Sequence, residues 1–445
     1  MPNKTKKILV EILRVLLGLL FIFSGFVKAI DPLGSAYKFH DYFTAFHLPW
    51  MESLTLPASF ILSAFEFSLG VCILLGAYRK ITSFFILVFM LVMTTLTLYL
   101  AISNPVTDCG CFGDAIILSN WETFFKNIPL LAAAIVIFIW HKDITPVLTP
   151  KSTWIGVLFS SLFIIGISFY CYFNLPILDF RPYKIGANIP QQMEIPEGAP
   201  HDEYKKIYIY EKDGVKKEFT IDNYPANDSS WVFVDAEIKL IKKGYVPKIH
   251  DFTITTSSDS DITDIILADT SYTFLLIAYK LEKASDSNVD KINEVFDYAQ
   301  MYGYNFLCLT SSGSEEISEW IAYMGAEYSI CSTDEITLKT IIRSNPGLLL
   351  LKSGTIINKW HHRNIPQEDK LSVPLSDSKL GKIPPNRDKQ KVFFCTLWFL
   401  IPLGIIFLLD YLIYRRKMTS TPESPKRDFQ ESASKSPLED LGVGN

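Results

Sequence analysis

Six apolar runs, each about as long as a bilayer is thick, restrict this chain to one kind of architecture. A helix rises about 1.5 Å per residue, so crossing a hydrocarbon core about 30 Å thick takes about 20 apolar residues. Runs of that length occur at Ile8–Ile30, Leu54–Tyr78, Ile81–Ser103, Thr123–Trp140, Trp154–Phe173 and Val392–Tyr414. In lipid every backbone polar group must be satisfied within its own segment, so each run is predicted to be a membrane helix. Composition agrees, with 49% hydrophobic and only 20% charged residues. The first run carries Glu11, Arg14 and Lys28, too many charges for a cleaved signal core, and is expected to stay as a span.

The Lys/Arg bias sets an orientation. Lys4, Lys6 and Lys7 precede the first run, Arg79 and Lys80 join the second to the third, Lys142 and Lys151 the fourth to the fifth, and Arg415, Arg416 and Lys417 follow the sixth. Six crossings put all four clusters on one side, expected to be the cytoplasm of a bacterial inner membrane. Both termini then face the cytoplasm, and the periplasm receives Asp31–Ser53, a short loop around residue 109, and the segment from Asn174 to Lys391. The net charge of −5 comes with no basic surface that suggests nucleic acid. Seven cysteines are an odd number, so at least one is unpaired or pairs between chains.

Composition divides the chain into a membrane unit (1–145), a fifth span (154–173), a linker with a hairpin (174–246), an α/β region (247–370), a sixth span (392–414) and a tail (418–445). Pro176, Pro182, Pro190, Pro196 and Pro200 forbid a continuous helix through the linker. Asp213-Gly214 between Lys206–Tyr210 and Lys216–Ile221 predicts a hairpin. Further on, strands are expected at 250–254, 272–279, 304–309, 347–351 and 355–360, and helices at 288–302, 316–324 and 335–342. The tail, rich in Ser, Pro, Glu and Lys, has too few large apolar residues to pack and reads as disordered.

The chemistry concentrates in the loop Thr107-Asp108-Cys109-Gly110-Cys111-Phe112-Gly113-Asp114. A Cys-X-Cys disulfide closes a very small ring away from relaxed geometry, and strained, exposed disulfides are readily reduced. Three readings follow: an exchange-active pair, a local structural disulfide, or part of a metal site that would need His40 or His47 as well. Asp108 and Asp114 argue against a strongly acidic thiol. Ionisable groups within spans are costly and normally pair or face a cavity. Arg14 and Glu66, on antiparallel neighbours, are expected within reach of each other, as a structural ion pair or as a proton or quinone site. Lys28 is expected to snorkel at the outer boundary. Cys171 and Cys395 lie at the depth of the loop, as resolving thiols or as packing. Cys72, Cys308 and Cys331 read as core.

Arg14, Gly18, Phe21, Ser24, Gly25, Lys28, Asp31 and Pro32 together resemble the first-helix signature of the DoxX-like family, and Glu66, Gly70 and Gly76 its second-helix pattern. The Cys-Gly-Cys-Phe-Gly loop resembles the MauE branch, linked to methylamine utilisation. Over residues 8–140 the resemblance implies a four-helix, redox-associated membrane protein aiding electron transfer or disulfide formation in periplasmic partners. Residues 247–370 resemble a thioredoxin-like domain, with Asn345-Pro346-Gly347 similar to its cis-proline turn. The expected active-site junction reads Lys280-Leu281-Glu282-Lys283-Ala284-Ser285, without cysteine. The combination resembles DoxX-family proteins of Bacteroidota that carry a C-terminal thioredoxin-like domain.

The expected fold is an α-helical membrane bundle, a four-helix core plus a fifth span, followed by a periplasmic α/β thioredoxin-like domain and a sixth transmembrane helix. The expected function is a thiol–disulfide or electron relay at Cys109 and Cys111, serving a periplasmic client or redox partner, with Arg14 and Glu66 as a quinone or proton site. The competing expectation is a membrane-anchored interaction module that binds an envelope protein. A small-solute permease has only Glu66 and Arg14 as deep charges to support it.

Overall fold

The computed structural model describes residues 3–415 apart from 222, 224, 226, 227, 229 and 243. The expected disordered tail, with Arg416 and Lys417, lies outside the described residues. In chain order the membrane part comprises α1 (Asn3–Ile30), α2 (Pro32–Ala45), α3 (Thr55–Leu75), α4 (Arg79–Ser103), α5 (Asn120–Ile139) and α6 (Pro150–Phe173). All but α2 are long and apolar enough to span. Their outward faces carry side chains such as Ile61, Ile102 and Phe125, exposed in quantities that only a lipid environment accommodates.

The closest approach in the bundle is between α1 and α3, and glycine makes it. A Cβ on Gly25 would lie 2.5 Å from the Phe67 nitrogen, and one on Gly70 would lie 2.7 Å from the Gly18 carbonyl. Such small-residue seams let backbones meet where no hydrophobic effect drives helices together. α2 corrects the expectation of a plain outer loop over Asp31–Ser53. The Asp31 side chain caps it by accepting from the Gly34 amide, and Pro32 occupies its first turn. Ser59 then donates to the Pro32 carbonyl, 2.7 Å, fastening the start of α2 to α3.

Polar contacts define two ends of the bundle. At one, Lys6 meets Asp143, Arg79 donates to the Ile144 carbonyl and Arg14 to the Thr145 carbonyl. At the other lie α2, the Cys109–Cys111 loop and the described residues between Asn174 and Arg387.

Residues 174–202 run as an irregular strap containing the short α7 (Ile189–Met193), in keeping with the prolines. A three-stranded antiparallel sheet of β1 (Glu203–Lys212), β2 (Val215–Thr220) and β3 (Val232–Lys242) follows, in the order β2-β1-β3. Sequence reading found its hairpin and missed β3. Tyr210, Phe219, Phe233 and Trp231 pack on one face of it.

The next region contains α8 (Thr263–Ala268), β4 (Tyr272–Ile277), α9 (Val289–Tyr302), β5 (Asn305–Thr310), α10 (Ser314–Met324), β6 (Ser329–Ser332), α11 (Glu335–Ile341), β7 (Gly347–Lys352) and β8 (Thr355–His361). Sheet order is β6-β5-β4-β7-β8; β5 runs parallel to β4 and β6, while β7 is antiparallel to β4 and β8. This is thioredoxin-like topology with one extra edge strand, and the Asn345–Pro346 peptide before β7 is cis. β4 is buried along its whole length between two apolar clusters, one under α9 and α10, the other under α8 and α11. The strand expected at 250–254 is absent: Phe252 and Ile254 are core residues, but only Thr255 forms bridges, to Asp261 and Ser332. Cys308 and Cys331 are buried on opposite faces of the sheet, one in each cluster.

The final helix, α12 (Asp388–Asp410), returns along α6. Phe399 meets Phe67 of α3 and Phe163 of α6, and Asp410 accepts from the Thr149 amide at the far end.

Gly25→Ala forces the α1–α3 seam apart and is expected to cost about 1–3 kcal/mol by overpacking. Gly404→Ala, where an added Cβ meets nothing within 4 Å, should be neutral. Thermal unfolding of the two variants in detergent checks the contrast.

Candidate functional site

The Cys109–Cys111 loop sits on the α1–α3 seam. Gly110 adopts a positive φ of 64°, which L side chains rarely tolerate, and this reversal turns the flanking cysteines toward each other. Their sulfurs lie 2.7 Å apart, in contact and longer than the bond of about 2.05 Å in a disulfide. Asp108 accepts from the Gly110 amide (2.9 Å) and pairs with Lys38 of α2 (2.7 Å), while Tyr42 donates to the Cys109 carbonyl (2.7 Å).

Beneath the loop is a buried polar cluster. Lys28 of α1 and Glu66 of α3 form an ion pair at 2.9 Å, and Ser24 donates to Glu66 at 2.7 Å. Lys28 also donates to Ser24 and to the Cys111 carbonyl, so the cluster holds the loop by its backbone. Lys28 therefore does not snorkel: it is 6% exposed, and its partner is the carboxylate expected to pair with Arg14. Arg14, also on α1, instead meets α3 about two turns beyond Glu66. There it donates to the Ile73, Leu74 and Thr145 carbonyls and pairs with Glu11 at 2.8 Å. It closes the C-terminal end of α3 and takes no part in the cysteine site.

Sequence reading missed Lys126 of α5. Its Nζ lies 4.1 Å from the centroid of the Phe112 ring, and it lines a cavity of about 30 Å3 with Ser24, Glu66, Met93 and Cys111. Its position in the first turns of a span, followed by Asn127, was the available signal.

These groups decide which thiol ionises. Cys111 is brought down to about 7 by the hydrogen bond from Cys109, against the effect of burial and with the help of the Lys126 and Lys28 charges. Cys109 is pushed well above the usual thiol range by the same hydrogen bond and by burial. The aspartates expected to suppress thiolate formation are occupied elsewhere, Asp108 by Lys38 and Asp114 by Arg343.

The thioredoxin-like domain docks beside this loop. Arg343, at the end of α11, donates to Asp31 (2.9 Å) and to Asp114 (3.1 Å). Burial disfavours the Asp31 charge, but Arg343 and Arg181 outweigh it and hold the carboxyl below its usual value. Tyr279, just beyond β4, meets Tyr37 of α2 edge-on, and Lys339 lies over both rings. Thus Tyr279, immediately before the cysteine-less Lys280–Ser285 junction, faces the membrane unit. A cleft of about 410 Å3 remains between the two, bordered by Lys38, Gly110, Asp114, Lys339 and Arg343. Among the described residues no contact joins Cys171 or Cys395 to the pair, and both are free thiols.

Fold and site together define a multi-pass membrane protein with a thioredoxin-like domain beside a cysteine loop. Residues 6–140 match the family model of the methylamine utilisation protein MauE, and this part of the chain is a domain of that family. Residues 204–243, the three-stranded sheet, match a domain of unknown function (DUF8463). Among solved structures, the solution structure of a putative protein disulfide isomerase from Bacteroides thetaiotaomicron is similar at 17% identity and a TM-score of 0.21. It covers 27% of this chain and 80% of its own. At that score the likeness adds nothing to the topology described above. No curated protein matches the chain.

Alkylation of the reduced protein should occur first at Cys111, with a rate that rises through pH 7 as its thiolate forms. Cys109→Ala removes the donor that stabilises this thiolate and should move the midpoint upward. Iodoacetamide labelling across pH 5–10, read by mass spectrometry of the loop peptide, measures both.

Proposed function

We propose that Cys109 and Cys111 form a thiol–disulfide exchange pair that acts on a protein client at the outer face of the bacterial inner membrane, in the maturation of periplasmic disulfide proteins. The observation that carries this reading is the contact between the two sulfurs, with one thiol poised to ionise near neutral pH in a loop whose Gly110 borders an open cleft. In the exchange the Cys111 thiolate attacks a client disulfide and expels one client thiolate. Cys109 then loses its proton, attacks the Cys111 sulfur and releases the second client thiolate. Two electrons pass to the client and the loop becomes a disulfide; the reverse sequence oxidises a client dithiol. The positive clusters Lys4 to Lys7, Arg79-Lys80 and Lys142 support a cytoplasmic location for the opposite end of the bundle.

The thioredoxin-like domain, lacking cysteines at its β4 junction, serves as the docking surface that presents the client to the loop. The cavity at Glu66, at about 30 Å3, has room for one or two waters and does not fit a quinone ring. Arg14 is committed to helix-end carbonyls, so no quinone step is assigned to either residue.

Cys109→Ser removes the resolving thiol and should accumulate a mixed disulfide between Cys111 and its client, visible on non-reducing gels from intact cells. Cys111→Ser should give none. If Cys109→Ser traps nothing and the wild-type pair stays in one redox state, the exchange reading fails. A double Cys109→Ser, Cys111→Ser variant that keeps its phenotype, while Arg343→Gln loses it, would instead establish a non-catalytic interaction module.

A further inference from the structure

The charges facing Cys111 do not balance, and the imbalance carries a direction. From α1 comes Lys28 and from α3 Glu66, bonded to each other at 2.9 Å and both buried. From α5 comes Lys126, which lines the same cavity as Cys111 and Glu66 and forms no ion pair among the described residues; its contact is the Phe112 ring. α4 contributes only the uncharged Phe89, Met90 and Met93. On the other side of the loop, Lys38 of α2 is matched by Asp108 and Asp41, Tyr42 is neutral, and Asp114 is engaged by Arg343 of the thioredoxin-like domain. In the cavity beneath Cys111, two cations therefore face one anion. A half-buried cation without an anion is costly. A thiolate on Cys111 cancels the excess; a disulfide leaves it standing.

We propose that Lys126 makes the Cys109–Cys111 disulfide an oxidant of client dithiols, by stabilising the one thiolate that the reduced loop holds. The inference rests on the exchange reading above and adds its direction. A client thiolate attacks the Cys111 sulfur, the Cys109–Cys111 bond breaks, and Cys109 leaves with the electron pair and takes up a proton. The second client thiolate attacks the client sulfur of the mixed disulfide, closes the client disulfide and expels Cys111 as a thiolate beside Lys126. Two electrons have moved from client to loop. Of the two client thiol protons, one remains on Cys109 and one goes to solvent. A disulfide whose reduced form is stabilised in this way is a stronger oxidant. The low thiol pKa at Cys111, to which both lysines contribute, agrees with the charge count.

The test uses the purified full-length protein in detergent, equilibrated with glutathione buffers at pH 8. The loop peptide is then scored by differential alkylation and mass spectrometry, which separates it from the other five cysteines. Lys126→Met should shift the equilibrium about tenfold toward the disulfide, about 30 mV for a two-electron couple. It should also raise the pH midpoint of Cys111 alkylation. Lys126→Arg, which keeps the charge, should restore both, and the difference should shrink at pH 6, where the thiolate is largely protonated in every variant. These readouts would not follow from a packing role alone. A Lys126→Met protein with unchanged equilibrium and unchanged midpoint overturns the inference while leaving the exchange reading intact. A wild-type loop that never interconverts between dithiol and disulfide overturns the exchange reading itself.

Discussion

The Lys28–Glu66 ion pair is the constraint on which the membrane half of the molecule turns. Removing two charges from water costs several kcal/mol per ion, and attraction repays it only when the remaining donors and acceptors are also satisfied. Here Ser24 and the Cys111 carbonyl complete the set. The pair needs α1 and α3 at glycine contact distance, because only that seam brings Lys28 opposite Glu66. It also needs the loop in place, because the loop supplies one of the acceptors for the ammonium. Seam, ion pair and cysteine loop thus form one unit. Disturbing any of the three leaves a charge buried without its partners.

This dependence explains what the sequence made legible. Gly18, Gly25 and Gly70 form the seam, Ser24, Lys28 and Glu66 the cluster, and Asp31 with Pro32 the start of α2, so most positions of the family-like signature have a physical task. The spans were readable because each is a continuous apolar run. The strands of the thioredoxin-like sheet were readable because β4, β5 and β7 are apolar along nearly all their length. Pairing was not readable. Depth along a helix made Lys28 look interfacial and Arg14 a partner for Glu66, whereas helix rotation and the close seam decided otherwise. β3 escaped because a long turn-rich segment separates it from its hairpin. Residues 250–254 looked like a strand because Phe252 and Ile254 alternate with polar neighbours, yet they bury their side chains without a ladder.

The thioredoxin-like domain carries no cysteine at its β4 junction and contacts the membrane unit beside it. Just before the cysteine-less Lys280–Ser285 junction, Tyr279 packs on Tyr37 and Lys339 covers both. Arg343, three residues before the cis proline, bridges Asp31 at the end of α1 and Asp114 just after the cysteines. The face around the cis proline and the end of β4 is therefore turned toward α2 and the loop. The paired cysteines belong to the membrane unit, and the domain above them borders the same cleft.

That domain enters the chain between α6 and α12, and both connections are held down. On the α6 side Asp179 joins Arg181 and Lys359, and Asn364 donates to Asn174; on the α12 side Lys391 donates to the Ile177 carbonyl. A protein fastened at two points cannot search a large volume, so whatever it holds stays within a few nanometres of the loop. Under the proposed exchange, encounter between an already docked client and the cysteines ceases to depend on how much client is in the compartment. It becomes an intramolecular event at an effective concentration on the millimolar scale, set by the anchoring geometry. Even a weakly held or scarce client would meet the sulfurs repeatedly before it escapes.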